Sequence, residues 1–124
     1  MPAEEETQQA LALIEGAIAN CTKIQPRLKE GSPQLSLNRR RIRALEIARS
    51  LLAEQGEIFP TEELAAALPQ LSSIRSKSLT GLAHAKPGSA TAVRFERLVQ
   101  AMETAVEAVS QAQKEEPRGR TPES

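Results

Sequence analysis

The chain is poor in aromatic residues and contains no aspartate. Phe59 and Phe95 are its only aromatic residues, and all sixteen acidic residues are glutamate. A nucleic-acid binder of this composition would rely on phosphate contacts, because it has few rings to stack on bases. β-Branched residues are few, whereas alanine and leucine are abundant, so the composition favours helices over a sheet.

Cysteine and histidine each occur once, as Cys21 and His84. A single cysteine cannot form an intrachain disulfide, which predicts a reduced, cytoplasmic setting. One histidine is too few for a bundle-core metal site built from Glu-x-x-His pairs. Cys21 falls on an apolar seam, which favours a buried structural thiol over a nucleophile paired with His84. With no glycine-rich phosphate motif either, we predict a non-enzymatic protein with no catalytic residue, metal or cofactor.

Long apolar runs and a basic leader are also missing. The first residues, MPAEEETQQ, are acidic, which argues against a signal peptide. No apolar stretch approaches the roughly eighteen residues that a membrane helix needs. We therefore expect no contact with a membrane.

Apolar residues recur at three- and four-residue spacing, the pattern of amphipathic helices in a bundle. Pro26 should kink or end the first helix early, and Pro69 should kink the third. Ser32 and Thr61 are predicted N-caps. The chain length allows one domain, over 1–113, followed by a disordered tail over 114–124. The predicted helices span 4–29, 33–55, 61–86 and 90–113.

A shift of 57 residues aligns the chain with itself without a gap. The repeats over 4–55 and 61–113 share a K-x-G-S loop before their second helix, which favours an internal duplication. Two tandem αα-hairpins then form an all-α four-helix bundle, for which we predict up-down-up-down order. The residues that match identical residues 57 positions later are Glu5, Glu6, Ala10, Leu11, Lys29, Gly31, Ser32, Arg40, Ala44, Glu46 and Ala48.

The run from Ile18 to Leu52, which includes Cys21, Gly31 and Arg41, resembles a set of small bacterial all-α proteins that carry two such hairpins. The resemblance covers Ile18 to Leu52 and includes no catalytic motif. It implies a bacterial protein with a repeated helical hairpin, and it implies nothing about activity. The residues that carry it are Cys21, Lys23, Lys29, Gly31, Gln34, Arg41, Ile42, Ala44, Leu45, Ile47 and Ala48.

The formal net charge of zero conceals an uneven distribution of charge along the chain. The loop segments 19–43 and 76–100 contain eleven Lys or Arg against two Glu, which gives plus nine. The remaining segments contain five Lys or Arg against fourteen Glu, which gives minus nine. In an up-down-up-down bundle both loops would lie at one end, so we expect one end to be basic.

This basic end is the candidate binding surface. An acidic protein surface is the expected partner, and a second copy of the chain would offer one. The alternative is a nucleic-acid binder that contacts phosphates, but such proteins are usually basic overall, and this chain is not. Gly31 and Ser32 with Gly88 and Ser89 could form anion-binding loops, although most such helix starts are simple caps. The predicted surface comprises Lys29, Arg39, Arg40, Arg43, Lys86 and Arg97.

Arg49 falls inside the apolar arc of the second helix and is level with Glu15 in a hairpin. Their repeat counterparts are Val106 and Ser72. We therefore predict a partly buried salt bridge between Glu15 and Arg49.

Overall fold

A computed structural model describes residues 4–120, with side chains described for residues 4–115. Within this range the chain forms four α-helices and no strand, so the predicted all-α bundle of two tandem hairpins is confirmed. The helices are α1 (Glu4–Ile24), α2 (Pro33–Leu52), α3 (Thr61–His84) and α4 (Ala90–Arg120), with a short 3-10 turn over Gln25–Arg27 after α1.

The two hairpin loops have the same geometry. Gly31 and Gly88 both adopt a φ of 78°, a left-handed conformation that favours glycine. Ser32 Oγ accepts a hydrogen bond from the Leu35 N–H at 3.2 Å, and Ser89 Oγ accepts one from the Ala92 N–H at 3.1 Å. Each serine therefore caps the helix that follows it, as predicted for Ser32.

The structure supports the internal duplication. α2 and α4 begin at positions 33 and 90, which are 57 residues apart. Seven pairs of buried apolar residues obey the same shift. They are Ala10/Ala67, Ile14/Leu71, Leu35/Ala92, Ala44/Ala101, Leu45/Met102, Ala48/Ala105 and Leu52/Val109.

Several predicted helix boundaries change. Pro26 ends α1 in the 3-10 turn, as its missing N–H suggests, whereas α3 continues through Pro69. Thr61 is the first helical residue of α3 rather than its N-cap, because Pro60 occupies the cap position. α4 runs on to Arg120, beyond its predicted end at 113. Residues 121–124 of the predicted tail lie outside the described residues.

The connection between the hairpins doubles back along α2. Ser50 Oγ donates a hydrogen bond to Glu57 Oε1 at 3.1 Å, and the Phe59 ring lies 5.5 Å from the guanidinium carbon of Arg43. The eight residues 53–60 can span roughly 26–29 Å when extended, about twice the ~14 Å that separates positions 43 and 52 of a helix. α3 therefore begins beside the middle of α2, where Glu63 contacts Arg43.

From that point α3 follows α2 in the same direction. The contacts with α1 and α4 give this direction. Asn38 of α2 bonds to Cys21 near the end of α1, and the nearby Arg43 contacts the start of α3. The start of α1 shares a groove with Glu103 of α4, which pairs with Arg75 of α3, so α3 runs from the end of α1 toward its start, as α2 does. The two loops therefore lie at opposite ends of the bundle, which corrects the expectation that they share one end. The reason is the connection 53–60, which brings the chain back before α3 starts.

Each hairpin has its own contact near the tip. In the first hairpin, the buried Asn38 donates a hydrogen bond from Nδ2 to the Cys21 carbonyl at 2.9 Å. The counterpart of Asn38 in the second hairpin is Phe95, whose ring packs directly on Gly81. The two helices of the first hairpin are thus joined near the tip by a polar contact, and the two helices of the second hairpin by an apolar contact.

Candidate functional site

The start of α2 forms one wall of a shallow groove of about 250 Å³. Its residues share one helix face because they are spaced by three or four positions. Two arginines stand on that face and the K-x-G-S loop closes its end. The lining residues are Gly31, Ser32, Leu35, Ser36, Arg39 and Arg40.

Arg39 and Arg40 are the two charged residues of the groove. The Arg39 side chain is 58 % exposed, and its Nη2 lies 4.0 Å from Oε2 of the largely exposed Glu30, a contact that contributes little. Arg40 is exposed on the same face. A guanidinium can donate two parallel hydrogen bonds to a carboxylate or phosphate, so the groove suits such groups.

The loop backbone itself offers few free donors. The Leu35 N–H is bonded to Ser32 Oγ and the Ser36 N–H to the Ser32 carbonyl, at 3.2 Å each. In the second loop, the N–H groups of Ala92 and Val93 are bonded to Ser89 in the same way. Both loops therefore act as helix caps, and an anion in the first groove would be held mainly by the arginines.

Arg43 is already engaged within the fold. Its Nη2 donates to Glu63 Oε1 at 2.6 Å, and its Nη1 lies 3.7 Å from Glu46. The hydrogen bond to Glu63 raises the pKa of the Arg43 guanidinium. The same guanidinium lies over the ring of Phe59, within the range of a cation–π interaction. Arg43 therefore links α2 to the start of α3.

The structure separates the predicted basic surface into three places. Lys29 belongs to the first loop, whose Gly31 and Ser32 line the same groove as Arg39 and Arg40, whereas Lys86 belongs to the second loop at the opposite end. Arg97 lines a different groove, between α1 and α4. The second hairpin also lacks the arginine pair, because Glu96 is the counterpart of Arg39.

Cys21 and His84 lie on different hairpins and do not form a pair. Burial raises the pKa of the Cys21 thiol, and the nearby Arg41 lowers it by less. The thiol therefore stays protonated at neutral pH, which makes it a poor nucleophile. His84 is exposed, and its Nδ1 lies 2.8 Å from the Thr80 carbonyl. Among residues 4–115, whose side chains the structure describes, no group of three acidic, histidine or cysteine side chains is placed to hold a metal ion.

Arg49 Nη1 lies 3.2 Å from Glu15 Oε1, which joins α1 to α2 at the predicted position. The pair is more exposed than predicted, since the side chains are 35 % and 60 % exposed.

A double-mutant cycle with Glu15→Gln and Arg49→Gln should give a coupling energy of only about 0.2–1 kcal/mol in urea denaturation. Val106 and Ser72 at the counterpart positions show that the fold tolerates the pair's absence. A coupling above about 2 kcal/mol would contradict this reading and indicate a desolvated bridge.

Two features of the surface were missed in the sequence. The first is that Arg43 already has partners within the fold, because helical periodicity cannot show which arginine contacts Glu63. The other is the groove between α1 and α4. The 57-residue shift contained a signal for both, because it aligns Glu6 of that groove with Glu63.

Within residues 4–120, every helix is too short or too polar to cross a bilayer. Comparisons of the chain with protein-family models, curated proteins and solved structures gave no match.

Proposed function

We propose that this protein is a non-enzymatic helical adaptor that docks an acidic surface of a partner protein. Arg39 and Arg40 would carry the contact, with Lys29 beside them. The observation that supports the proposal most is the groove at the start of α2, which places two exposed guanidinium groups on one face. The cytoplasm of a bacterium is the proposed setting, in which the single Cys21 would remain a thiol.

Placement of these arginines against the preference of the helix dipole also supports binding. The first half of a helix favours acidic side chains, yet Arg39, Arg40, Arg41 and Arg43 all lie in the first eleven residues of α2. Only Arg43 has a close carboxylate partner at hydrogen-bond distance. Like charges so arranged repel one another at low salt, and an acidic partner would relieve that repulsion.

Nucleic acid is the competing partner, because phosphates accept the same guanidinium hydrogen bonds. The zero net charge disfavours it, since binders of a phosphate backbone usually carry a large positive charge. A second copy of the chain is a further source of acidic groups.

The Arg39→Gln/Arg40→Gln variant tests the proposal. A fluorescein-labelled decaglutamate peptide and a labelled twelve-base-pair DNA duplex serve as probes in anisotropy titrations at about 50 mM salt. We expect the variant to bind decaglutamate roughly two- to thirty-fold more weakly than the wild type, because each exposed ion pair contributes about 0.2–1 kcal/mol. Circular dichroism should show an unchanged helical fold.

An Arg94→Gln/Arg97→Gln variant is the matched control, because it removes the same charge from the second hairpin. It should bind decaglutamate like the wild type. Equal losses in both variants would mean that overall charge, and not the groove, is recognised. Wild-type binding to DNA alone would favour the nucleic-acid alternative. A sedimentation coefficient that rises with concentration only in the wild type would identify the partner as a second copy.

A further inference from the structure

The arginine groove of the proposed function lies on a face of α2 that continues along the helix to the connection between the two hairpins. Ser36 lines the groove, and Arg43 and Ser50 follow it at intervals of seven residues, which is close to two helical turns. The connection packs on this face, because the Arg43 guanidinium lies over the Phe59 ring and Ser50 bonds to Glu57. The groove and the connection therefore lie end to end on one surface.

The outer side of this connection is acidic and carries an exposed apolar residue. Ile58 is 83 % exposed, more than any other large apolar side chain in the described part of the chain. Glu54 and Glu62 lie four residues before and after it, are exposed, and have no basic partner among residues 4–115. By contrast, Glu57 and Glu63 are bonded to α2. The connection thus presents an isoleucine between two unpaired carboxylates.

Other exposed apolar residues of the described chain have basic neighbours instead. Each of them lies within two residues of a lysine or an arginine, whereas Ile58 has only Glu57 as a charged residue within that distance. These other residues are Ile24, Leu79 and Val93. The connection is therefore the place where an exposed apolar side chain coincides with negative charge.

The groove offers the complementary surface. Arg40 is exposed and has no carboxylate partner among the described side chains, and Arg39 has only its 4.0 Å contact with the exposed Glu30. Leu35 is the apolar lining residue, and the two arginines add apolar surface through their methylene groups. The groove can therefore hold carboxylates beside an apolar side chain.

We infer that the partner of the arginine groove is a second copy of the chain, whose connection enters the groove with Ile58 between two carboxylates. Glu54 and Glu62 then face the two arginines. The inference rests on the proposed function, because it requires the groove to bind carboxylates. A groove and a connection on one surface face the same way, so they cannot meet within one molecule. Two copies placed antiparallel along α2 make the contact twice, since each groove receives the other copy's connection.

Sedimentation velocity over a series of concentrations at low salt tests this contact, which should be weak and salt-sensitive because its ion pairs are exposed. The sedimentation coefficient of the wild type should rise with concentration. Arg39→Glu/Arg40→Glu and Glu54→Arg/Glu62→Arg should each remain monomeric, because like charges then meet. An equimolar mixture of the two variants should associate as the wild type does, because each groove in the mixed pair then faces a connection of opposite charge.

Ile58→Ala should weaken self-association at least about ten-fold, because the pair of copies buries two isoleucines. Leu79→Ala is the matched control, because Leu79 is also exposed but lies near the tip of the second hairpin. It should associate like the wild type. Circular dichroism checks that every variant folds.

A wild type that stays monomeric but binds decaglutamate through Arg39 and Arg40 would overturn this inference and leave the proposed function standing. Self-association that Ile58→Ala leaves unchanged, or a mixture of the charge variants that stays monomeric, would show that the copies meet through another surface. If Arg39→Gln/Arg40→Gln binds decaglutamate as the wild type does, the proposed function fails and this inference fails with it.

Discussion

Phe59→Ala should lower the free energy of unfolding by about 3–5 kcal/mol, the largest loss expected from a single substitution in this protein. Phe59 is only 4 % exposed and belongs to the central apolar cluster. Alanine would leave a cavity and would also remove the contact with Arg43, worth about 0.5–1 kcal/mol at an exposed site. Urea denaturation followed by circular dichroism measures the change.

Ile58→Ala is the matched control for this prediction, because Ile58 is the adjacent residue and is 83 % exposed. It should change the unfolding free energy by no more than about 0.5 kcal/mol. If the two substitutions cost the same, Phe59 does not anchor the connection, and the doubling back of residues 53–60 must have another cause.

Gly81→Ala should destabilise the protein by about 1–3 kcal/mol, although alanine is the better helix former. A Cβ at Gly81 would lie 2.5–2.8 Å from three ring carbons of Phe95, so the ring or the helices must move. Gly16→Ala is the control, because its Cβ meets nothing within 4 Å. That change should stabilise the protein by about 0.5–1 kcal/mol through helix propensity alone.

Thermal melts of the two glycine variants should therefore shift in opposite directions. Phe95→Leu gives a further check, since a smaller side chain leaves room for the new methyl group. The cost of Gly81→Ala should shrink in the Phe95→Leu background, which is the non-additivity expected of residues in contact. Similar stabilisation by both alanines would show that Phe95 moves aside without cost.

Local features of the fold could be predicted from the sequence because they depend on neighbouring residues. Ser32 and Pro33 mark the start of α2 by capping and by the missing N–H, and the structure places the helix start there. Gly31 and Gly88 mark the loops because each adopts the positive φ that favours glycine, which is also a local property. The spacing of apolar residues predicted the four helices, and the 57-residue shift predicted which helices of the two hairpins correspond.

The direction of the second hairpin could not be predicted in the same way. It depends on the contacts of Phe59 and Glu63 with Arg43, and neither composition nor spacing shows that residues 53–60 return along α2. The same difference between local and long-range features applies to the candidate binding surface. Arg39 and Arg40 share a groove because they are close in sequence, whereas Lys86 is distant from them because the hairpins point in opposite directions.

This arrangement has the pseudo-symmetry of an isologous dimer, with the two hairpins in the place of the two subunits. In such a dimer residue i of one subunit contacts residue j of the other, and the reverse contact occurs as well. Arg43 contacts Glu63, and their counterparts Gln100 and Glu6 line one groove, so the two sites occupy reciprocal positions. A dimer has two identical grooves, but a fused chain has a single linker, and the linker 53–60 fills only one of them. A single linker thus breaks the pseudo-symmetry and gives two related surfaces different chemistry.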